Sequence, residues 1–262
     1  MWILIATLCI LLFLAGLQYR MDVTHTEIVS AKVGKAVKIC VLADLHCRRF
    51  GEKQSKITDV IEQENPDLIV IPGDLFDIGR DLEISFELID QIRNRPVYYV
   101  PGNHDVYLKN LNELHQRLEE KGVKILEGTA ELFQDLEIAG IRDMGYRANM
   151  KPAKANALWK TKKFRLLLCH RPDYVSFYEK LNCDLIICGH AHGGQWRIPF
   201  THQGIIAPRQ GLFPKYTEGV HQTGKAKMFV SRGLASGNPH IPRLYNNPEI
   251  AFITITPEEK QS

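Results

Sequence analysis

Two β-sheets flanked by helices, an α/β fold, is what the sequence predicts for this chain of 262 residues. Three observations carry that expectation. In the first half, short apolar, β-branched runs alternate with amphipathic helical stretches, the pattern of a mainly parallel sheet. The second half turns to closely spaced strands joined by tight turns. Polar residues recur at the carboxyl ends of the runs, where open α/β sheets place their ligands. The length suits one α/β domain with a large core. With 45% hydrophobic and 24% charged residues, the chain is composed like a globular protein and not a disordered one.

The expected organisation is a hydrophobic segment over 1–20, a connector over 21–36, a main domain over 37–257 and a tail over 258–262. From Trp2 to Tyr19 no side chain is charged, and Arg20 closes the stretch. The apolar run is slightly short of the roughly 17–25 residues of a spanning helix, and spans if Gln18 and Tyr19 sit at the interface. A cleaved signal peptide is the competing reading. The missing basic n-region and the poor cleavage site at Ala15-Gly16-Leu17 argue against it. Arg20, Lys32, Lys35 and Lys38 outnumber Asp22 and Glu27 just after the segment, a bias that keeps this side cytoplasmic. The expectation is a single-pass anchor in the inner (cytoplasmic) membrane, with the main domain on the cytoplasmic face. Cys40, Cys169 and Cys188 lie inside apolar runs, and Cys47 abuts His46. That spacing reads as buried free thiols of a reducing compartment, not as a disulfide framework or zinc ribbon.

Residues 37–43 form a buried strand that delivers Asp44 and His46. Residues 53–64 have helical periodicity, with Ile57, Val60 and Ile61 on one face, and Asn65-Pro66 ends the helix. A strand over 68–71 ends at Pro72-Gly73-Asp74. A helix over 82–92 turns Leu82, Phe86 and Ile89 inward. A strand over 97–100 ends at Pro101-Gly102-Asn103-His104. A helix over 110–121 stops at Gly122. Short strands follow over 123–126, 130–133 and 136–141. A buried strand over 164–169 ends at His170, a short helix covers 174–181, and a strand over 185–188 ends at Gly189-His190. Late strands over 227–231 and 250–255 are expected antiparallel to their neighbours.

The strand ends carry five blocks: Asp44-Leu45-His46, Gly73-Asp74-Leu75-Phe76-Asp77, Gly102-Asn103-His104-Asp105, Cys169-His170 and Gly189-His190-Ala191-His192. Carboxylates, an amide and imidazoles are the ligand types that hold a pair of divalent metals. Two such cations about 3.5–4 Å apart repel unless an anion lies between them, and Asp74 is the candidate bridge. Asp44, His46 and His192 complete one metal; Asn103, His170 and His190 complete the other. The core keeps a positive charge and attracts an anionic phosphate ester. The metals lower the pKa of bound water toward about 7, so that hydroxide attacks phosphorus in line with the leaving oxygen. His104 reaches the leaving group instead of a metal and donates a proton. Its orienting carboxylate is Asp77, with Asp105 second. His190 and His192 share a side if their stretch is extended. His25, His115, His202, His221 and His240 fit no block and are read as incidental.

Together these blocks resemble the full motif set of the calcineurin-like metallophosphoesterases, over residues 38–255. More narrowly, Gly189-His190-Ala191-His192-Gly193-Gly194-Gln195, with Ser231-Arg232-Gly233-Leu234 and Asn247-Pro248-Glu249, resembles the membrane-associated bacterial phosphodiesterases called YkuE- or YaeI-like. The resemblance implies a four-layer α/β/β/α sandwich with two mixed sheets, preceded here by the N-terminal hydrophobic helix. It also implies a dinuclear metal site and phosphodiester hydrolysis by the catalytic domain of 37–257. The arginine that directly follows the Gly-Asp-x-x-Asp block in protein phosphatases is absent, since Ile78-Gly79 precede Arg80; this argues against phosphoprotein substrates. The stretch between Asp105 and His170 is too short for a large cap domain.

Manganese is the expected metal, with iron or zinc as alternatives, because the donors are oxygen and imidazole without thiolate. The expected substrate is a phosphodiester or pyrophosphate, lipid-borne or a nucleotide-linked lipid, met at the membrane. Trp196, Phe200, Leu212 and Phe213 lie near the mouth, and Lys215, Arg232 and Arg243 bind its anionic groups. A phosphomonoesterase and a non-catalytic scaffold are the alternatives. A net charge of +3, evenly spread, argues against nucleic acid as partner. The densest basic run, Lys160-Thr161-Lys162-Lys163, reads as solvated surface, with anionic lipid headgroups as the sharper alternative. Oligomeric state leaves no signal.

Overall fold

The computed structural model describes residues 1–17, 20–143, 145, 150–235 and 241–258. The first half runs α1 (Trp2–Gly16), β1 (Asp22–Ser30), β2 (Val37–Val41), α2 (Ser55–Glu64), β3 (Leu68–Ile71), α3 (Glu83–Ile92), β4 (Val97–Tyr99), α4 (Asn103–Val106), α5 (Leu111–Glu120) and β5 (Val123–Ile125). The second runs β6 (Ala130–Phe133), β7 (Leu136–Ile141), α6 (Pro152–Asn156), β8 (Phe164–Cys169), α7 (Val175–Tyr178), β9 (Leu185–Cys188), β10 (Ile206–Ala207), β11 (Gly211–Leu212), β12 (Gly219–Thr223), β13 (Ala226–Val230) and β14 (Glu249–Pro257).

Two six-stranded mixed sheets result, in the orders β1-β14-β2-β3-β4-β5 and β12-β13-β9-β8-β7-β6, with β10-β11 as a separate hairpin. Strands β2 to β5 run parallel to one another, as do β7, β8, β9 and β13. Their sequences, Leu68-Ile69-Val70-Ile71 and Leu185-Ile186-Ile187-Cys188, are apolar throughout because both faces are covered. Alternate residues then divide between two cores. Ile39, Val41, Leu68 and Val70 of the first sheet meet Ile138, Leu166, Leu168 and Ile187 of the second. Cys40, Ile69 and Ile71 face the other way, onto Ile57 and Ile61 of α2, Phe86 and Ile89 of α3, and Leu114 and Leu118 of α5. On the far side of the second sheet, Leu167, Ile186 and Met228 pack with Tyr178 of α7 and Ala155 of α6. The layering is therefore helix, sheet, sheet, helix. Each buried aliphatic side chain stabilises it by about 1.5–3 kcal/mol.

The elements differ from expectation in several places, the unexpected short helices α4 and α6 among them. Residues 22–30, read as connector, form β1, paired in parallel with β14. Its exposed residues mix apolar Val23 and Val29 with His25 and Glu27, and only Ile28 is buried, so no apolar run marks it. β13 is antiparallel to β12 but parallel to β9, and β14 is antiparallel to β2 but parallel to β1. The hairpin β10-β11 was not expected, because two-residue strands leave no period to read; nor was β12, Gly219–Thr223, whose only apolar residue is Val220.

The membrane expectation is corrected. α1 has 15 residues, about 22 Å at 1.5 Å per residue, against about 30 Å of hydrocarbon. Among the described residues no helix is long and apolar enough to cross a membrane. The single-pass placement in the inner membrane, and the cytoplasmic face derived from it, fall with it. The helix ends where Tyr245 docks: a Cβ on Gly16 would lie 2.6 Å from the Tyr245 ring, and Tyr245 donates its N–H to Gly16 O at 2.7 Å and its hydroxyl to Leu12 O at 2.6 Å. Gln18 and Tyr19, expected at the interface, His240, and most of the tail (259–262) lie outside the described residues.

Candidate metal centre

The strand ends converge, and they do so through strained backbone. Asp44, His46, Cys47, Asp74, His190 and His192 all have positive φ, between 47° and 66°. Such torsions cost a non-glycine residue about 1–2 kcal/mol each, and they cluster at functional sites. They turn each chain sharply as it leaves its strand, so that the side chain points across the sheet edges. His190 and His192 are thus not on one extended stretch; a 3-10 turn starts at His192. Glycine is required where the turns touch. A Cβ on Gly73 would lie 2.4 Å from Nδ1 of His170, and one on Gly233 would lie 2.5 Å from a carboxylate oxygen of Asp44.

Donor atoms gather in three overlapping groups, each within 4.8 Å: Asp44, His46 and His192; Asp74, His170 and His190; and His46 and Asp74 with His104. The six residues of the first two groups are buried, and His104 is half-buried. Oδ2 of Asp74 lies 3.1 Å from Nε2 of His170 and 3.6 Å from Nε2 of His46, between the two groups. Oδ1 of Asn103 lies 3.1 Å from Nε2 of His170, and Nδ1 of His190 lies 3.1 Å from the same nitrogen. Both ring nitrogens of His46 and Oδ2 of Asp74 are buried without a hydrogen-bond partner, their mutual separations being too long for one. An unmade hydrogen bond of this kind costs about 1–3 kcal/mol. Cations at this donor set relieve that cost, so the residues fit a pair of divalent metals.

The electrostatics ready Asp74, His190 and His192 for a cation and leave His170 protonated until one binds. Burial pushes the Asp74 carboxyl up, but the charge of His170 at 3.1 Å, with those of His46 and His104, holds it well below the usual range. Burial opposes protonation of His170, yet Asp74 and Asp44 raise it to about 10. Burial, then the neighbouring charges of His170 and Arg171, hold His190 well below its usual value; burial, His46 and Arg243 do so for His192. Neutral imidazoles are the ligating form.

His104 stands on the open side, half-buried. Its Nδ1 lies 2.7 Å from Oδ1 of Asp77. Burial lowers its pKa, but the Asp77 hydrogen bond and the charges of Asp74 and Asp77 raise it overall. Asp105, the second candidate to orient His104, has other work. Its Oδ2 accepts the N–H groups of Asp74 at 2.7 Å and Gly102 at 2.8 Å, and its Oδ1 accepts that of Phe76 at 2.8 Å. It ties the loop after β3 to the start of α4. Sequence reading also missed Arg171, which binds Asp143 through two nitrogens and places Nη1 3.1 Å from Nε2 of His190. The available signal was its position directly after His170.

The three basic residues expected at the substrate are placed elsewhere. Arg243 is fully buried and donates to the carbonyls of Gly233 and Arg232. Arg232 lies 2.9 Å from Asp22 and 3.3 Å from Glu249. Both brace the turn after β13, which packs Gly233 on Asp44. Their charge is consumed there because the turn buries its carbonyls and Glu249 together. Lys215 lines a different cavity, of about 680 Å³, with Arg197 and Glu218. Beside His104 and His192 lies a cavity of about 610 Å³ whose wall includes Ile206, Pro208 and Ile241. Trp196, Phe200, Leu212 and Phe213 are exposed. His25, His202 and His221 bind Glu64 and Glu218. The five cysteines described in full are free and buried.

The calcineurin-like phosphoesterase family model matches residues 37–194, the span from Asp44 to His192 included. Phosphodiesterase YaeI of Escherichia coli is 29% identical over 230 residues, covering 83% of this chain and 82% of that protein. The metallophosphoesterase YkuE of Bacillus subtilis is 29% identical over 232 residues, covering 83% and 78%. Among solved structures, TT1561 of Thermus thermophilus superposes with a TM-score of 0.54 at 11% identity, covering 76% of this chain and 90% of that one, a likeness of fold alone. With 158 of its 262 residues inside the family match and two buried donor groups at its strand ends, the chain belongs to the calcineurin-like phosphoesterases, metal-dependent hydrolases of phosphoester bonds that work with a dinuclear divalent centre.

Proposed function

We propose that the chain hydrolyses phosphodiesters, with residues 37–257 as the catalytic domain. Asp44, His46 and His192 hold one cation, Asn103, His170 and His190 the other, and Asp74 both. When bound, the cations neutralise charge on the phosphoryl oxygens and make water nucleophilic near neutral pH. Manganese is the metal we propose, on donors of oxygen and imidazole. His104, kept protonated and oriented by Asp77, gives its proton to the leaving oxygen.

One observation carries the diester reading. Arg232 and Arg243, the cations expected at the substrate, are bound to Asp22, Glu249 and backbone carbonyls instead. A monoester dianion would need a partner for its second charge, while a diester carries only one. The relative YaeI is named as a phosphodiesterase, which agrees. The lipid-linked, membrane-borne substrate rested on a spanning anchor, and without that anchor the reading is a phosphodiester in general.

The test is metal analysis with hydrolysis of bis(p-nitrophenyl) phosphate and p-nitrophenyl phosphate, for the native chain and Asp74→Ala. We expect two metals per chain, preference for the diester, and loss of both metal and turnover in the variant. Preference for the monoester would replace the reading with a phosphomonoesterase; metal without turnover on either ester would leave a scaffold.

A further inference from the structure

The cavity of about 610 Å³ beside the candidate centre shares His104 and His192 with it, and the rest of its wall includes Ile206, Ala207, Pro208 and Ile241. If His104 protonates the leaving oxygen, the group attached to that oxygen must extend past His104 into this space. The volume falls within the range of small-molecule pockets, roughly 300–1,000 Å³, which are mostly apolar with a few placed polar groups. Arg209, also on the wall, is engaged at 2.9 Å by Asp173 and stacks on Tyr174.

The wall is fixed to the centre. Ile205, just before β10, donates to the carbonyls of Gly194 at 3.2 Å and Trp196 at 2.7 Å, and Phe213 donates back to Ile205 O at 2.9 Å. A Cβ on Gly194 would lie 2.4 Å from Cα of Gly204, so the His192 turn and the hairpin are in backbone contact. Ile206 and Ile241 nevertheless keep 45% and 40% of their surface in water. Folding draws no benefit from that surface, and a ligand that covers it does.

We infer that this cavity is the leaving-group subsite and takes an apolar alcohol, so that the substrate is a phosphodiester whose departing group is alkyl or aryl. The inference rests on the diester reading. Water oxygen forms the new P–O bond, the P–O bond to the apolar alcohol breaks, and the alcohol departs with the proton of His104, which the proton of the attacking water replaces.

The experiment measures binding separately from turnover. Methyl 4-alkylbenzylphosphonates, with carbon in place of the scissile oxygen, are titrated calorimetrically into manganese-loaded protein, with para chains from none to hexyl. We expect Kd to fall two- to fourfold per added methylene until the cavity is full, roughly the hydrophobic gain of burying each CH₂. Ile206→Asn and Ile241→Asn should flatten that slope. Unbranched alkylphosphonates of equal carbon number separate the sources: the steeper series names alkyl or aryl. A Kd independent of chain length, or a slope unchanged in both variants, overturns the inference. Turnover is read in parallel on the methyl 4-alkylphenyl phosphates. Chain-dependent binding with no hydrolysis sinks the diester reading and leaves the subsite standing, while hydrolysis with flat binding does the reverse.

Discussion

Asp77 stands between two imidazoles, with Oδ1 2.7 Å from Nδ1 of His104 and Oδ2 3.5 Å from Nδ1 of His46. One carboxylate thus orients the candidate acid and faces a candidate ligand. Its own pKa is held far below the usual carboxylate value: burial pushes it up, but the two histidines outweigh burial.

Asp77→Asn keeps a hydrogen bond to His104 but removes the charge that favours its imidazolium. The His104 pKa then falls, and the protonated acid is lost at lower pH. We expect the alkaline limb of the kcat profile to move to lower pH, and kcat at pH 8 to drop roughly 10²-fold, the lower end of general-acid contributions. A profile with an unmoved alkaline limb would remove His104 from the acid role.

Metal loading should release a proton. In the metal-free chain His170 is raised from 6.5 to about 10 by Asp74 and Asp44 against burial, and a cation requires it neutral. Calorimetry at pH 7.5 in two buffers of different ionisation enthalpy should give about one proton released from this residue, with affinity rising toward pH 10. Without metal, the raised pKa contributes stability in full below pH 6.5 and loses it as pH rises through about 10. Identical heats in both buffers would refute the coupling.

Asp105→Asn turns an amide NH₂ toward backbone donors that the carboxylate now accepts. At least one buried N–H among those of Asp74, Gly102 and Phe76 loses its acceptor, at a cost of about 1–3 kcal/mol. The expected result is a lower urea midpoint with an unchanged m-value, together with weaker metal retention. Native stability in the variant would show that the three contacts are dispensable.

Gly233→Ala is a test of the wall behind Asp44. The residue has φ of +71°, and the new Cβ would meet Asp44 Oδ2 at 2.5 Å. We expect the variant to fold and to lose metal from the Asp44, His46, His192 group, seen as about one metal per chain instead of two. Full occupancy would mean that the turn gives way elsewhere.

The interior of the fold was legible because buried parallel strands have a plain signal. Leu68–Ile71, Phe164–Cys169 and Leu185–Cys188 have the bounds expected of them, since each is an apolar run, broken only by Arg165, and is closed by Pro, His or Gly. The edges were not. β1 exposes Thr24, Thr26 and Glu27 at least in part, and its pairing with β14 joins segments more than 220 residues apart, which no local pattern records. At the centre, Asp44, His46, Asp74, Asn103, His170, His190 and His192 were placed together by their shared position at strand ends. Arg232 and Arg243 were misplaced because a cation's partner is a tertiary fact: Glu249 and the carbonyls of 232 and 233 reach them only once β13 and β14 are folded. The length of α1 was overrun for a similar reason, since Tyr245 meets it from the other end of the chain.

The left-handed torsions at the strand ends have a consequence for how this protein fails. Asp44, His46, Asp74, His190 and His192 are each held where an isolated peptide would not stay, and the packed sheets behind them do the holding. Loosening those sheets, even far from any histidine, frees the turns before it melts the strands. Cation capture will therefore decay ahead of secondary structure, and an inactive but well-folded chain is the state that gentle damage produces first.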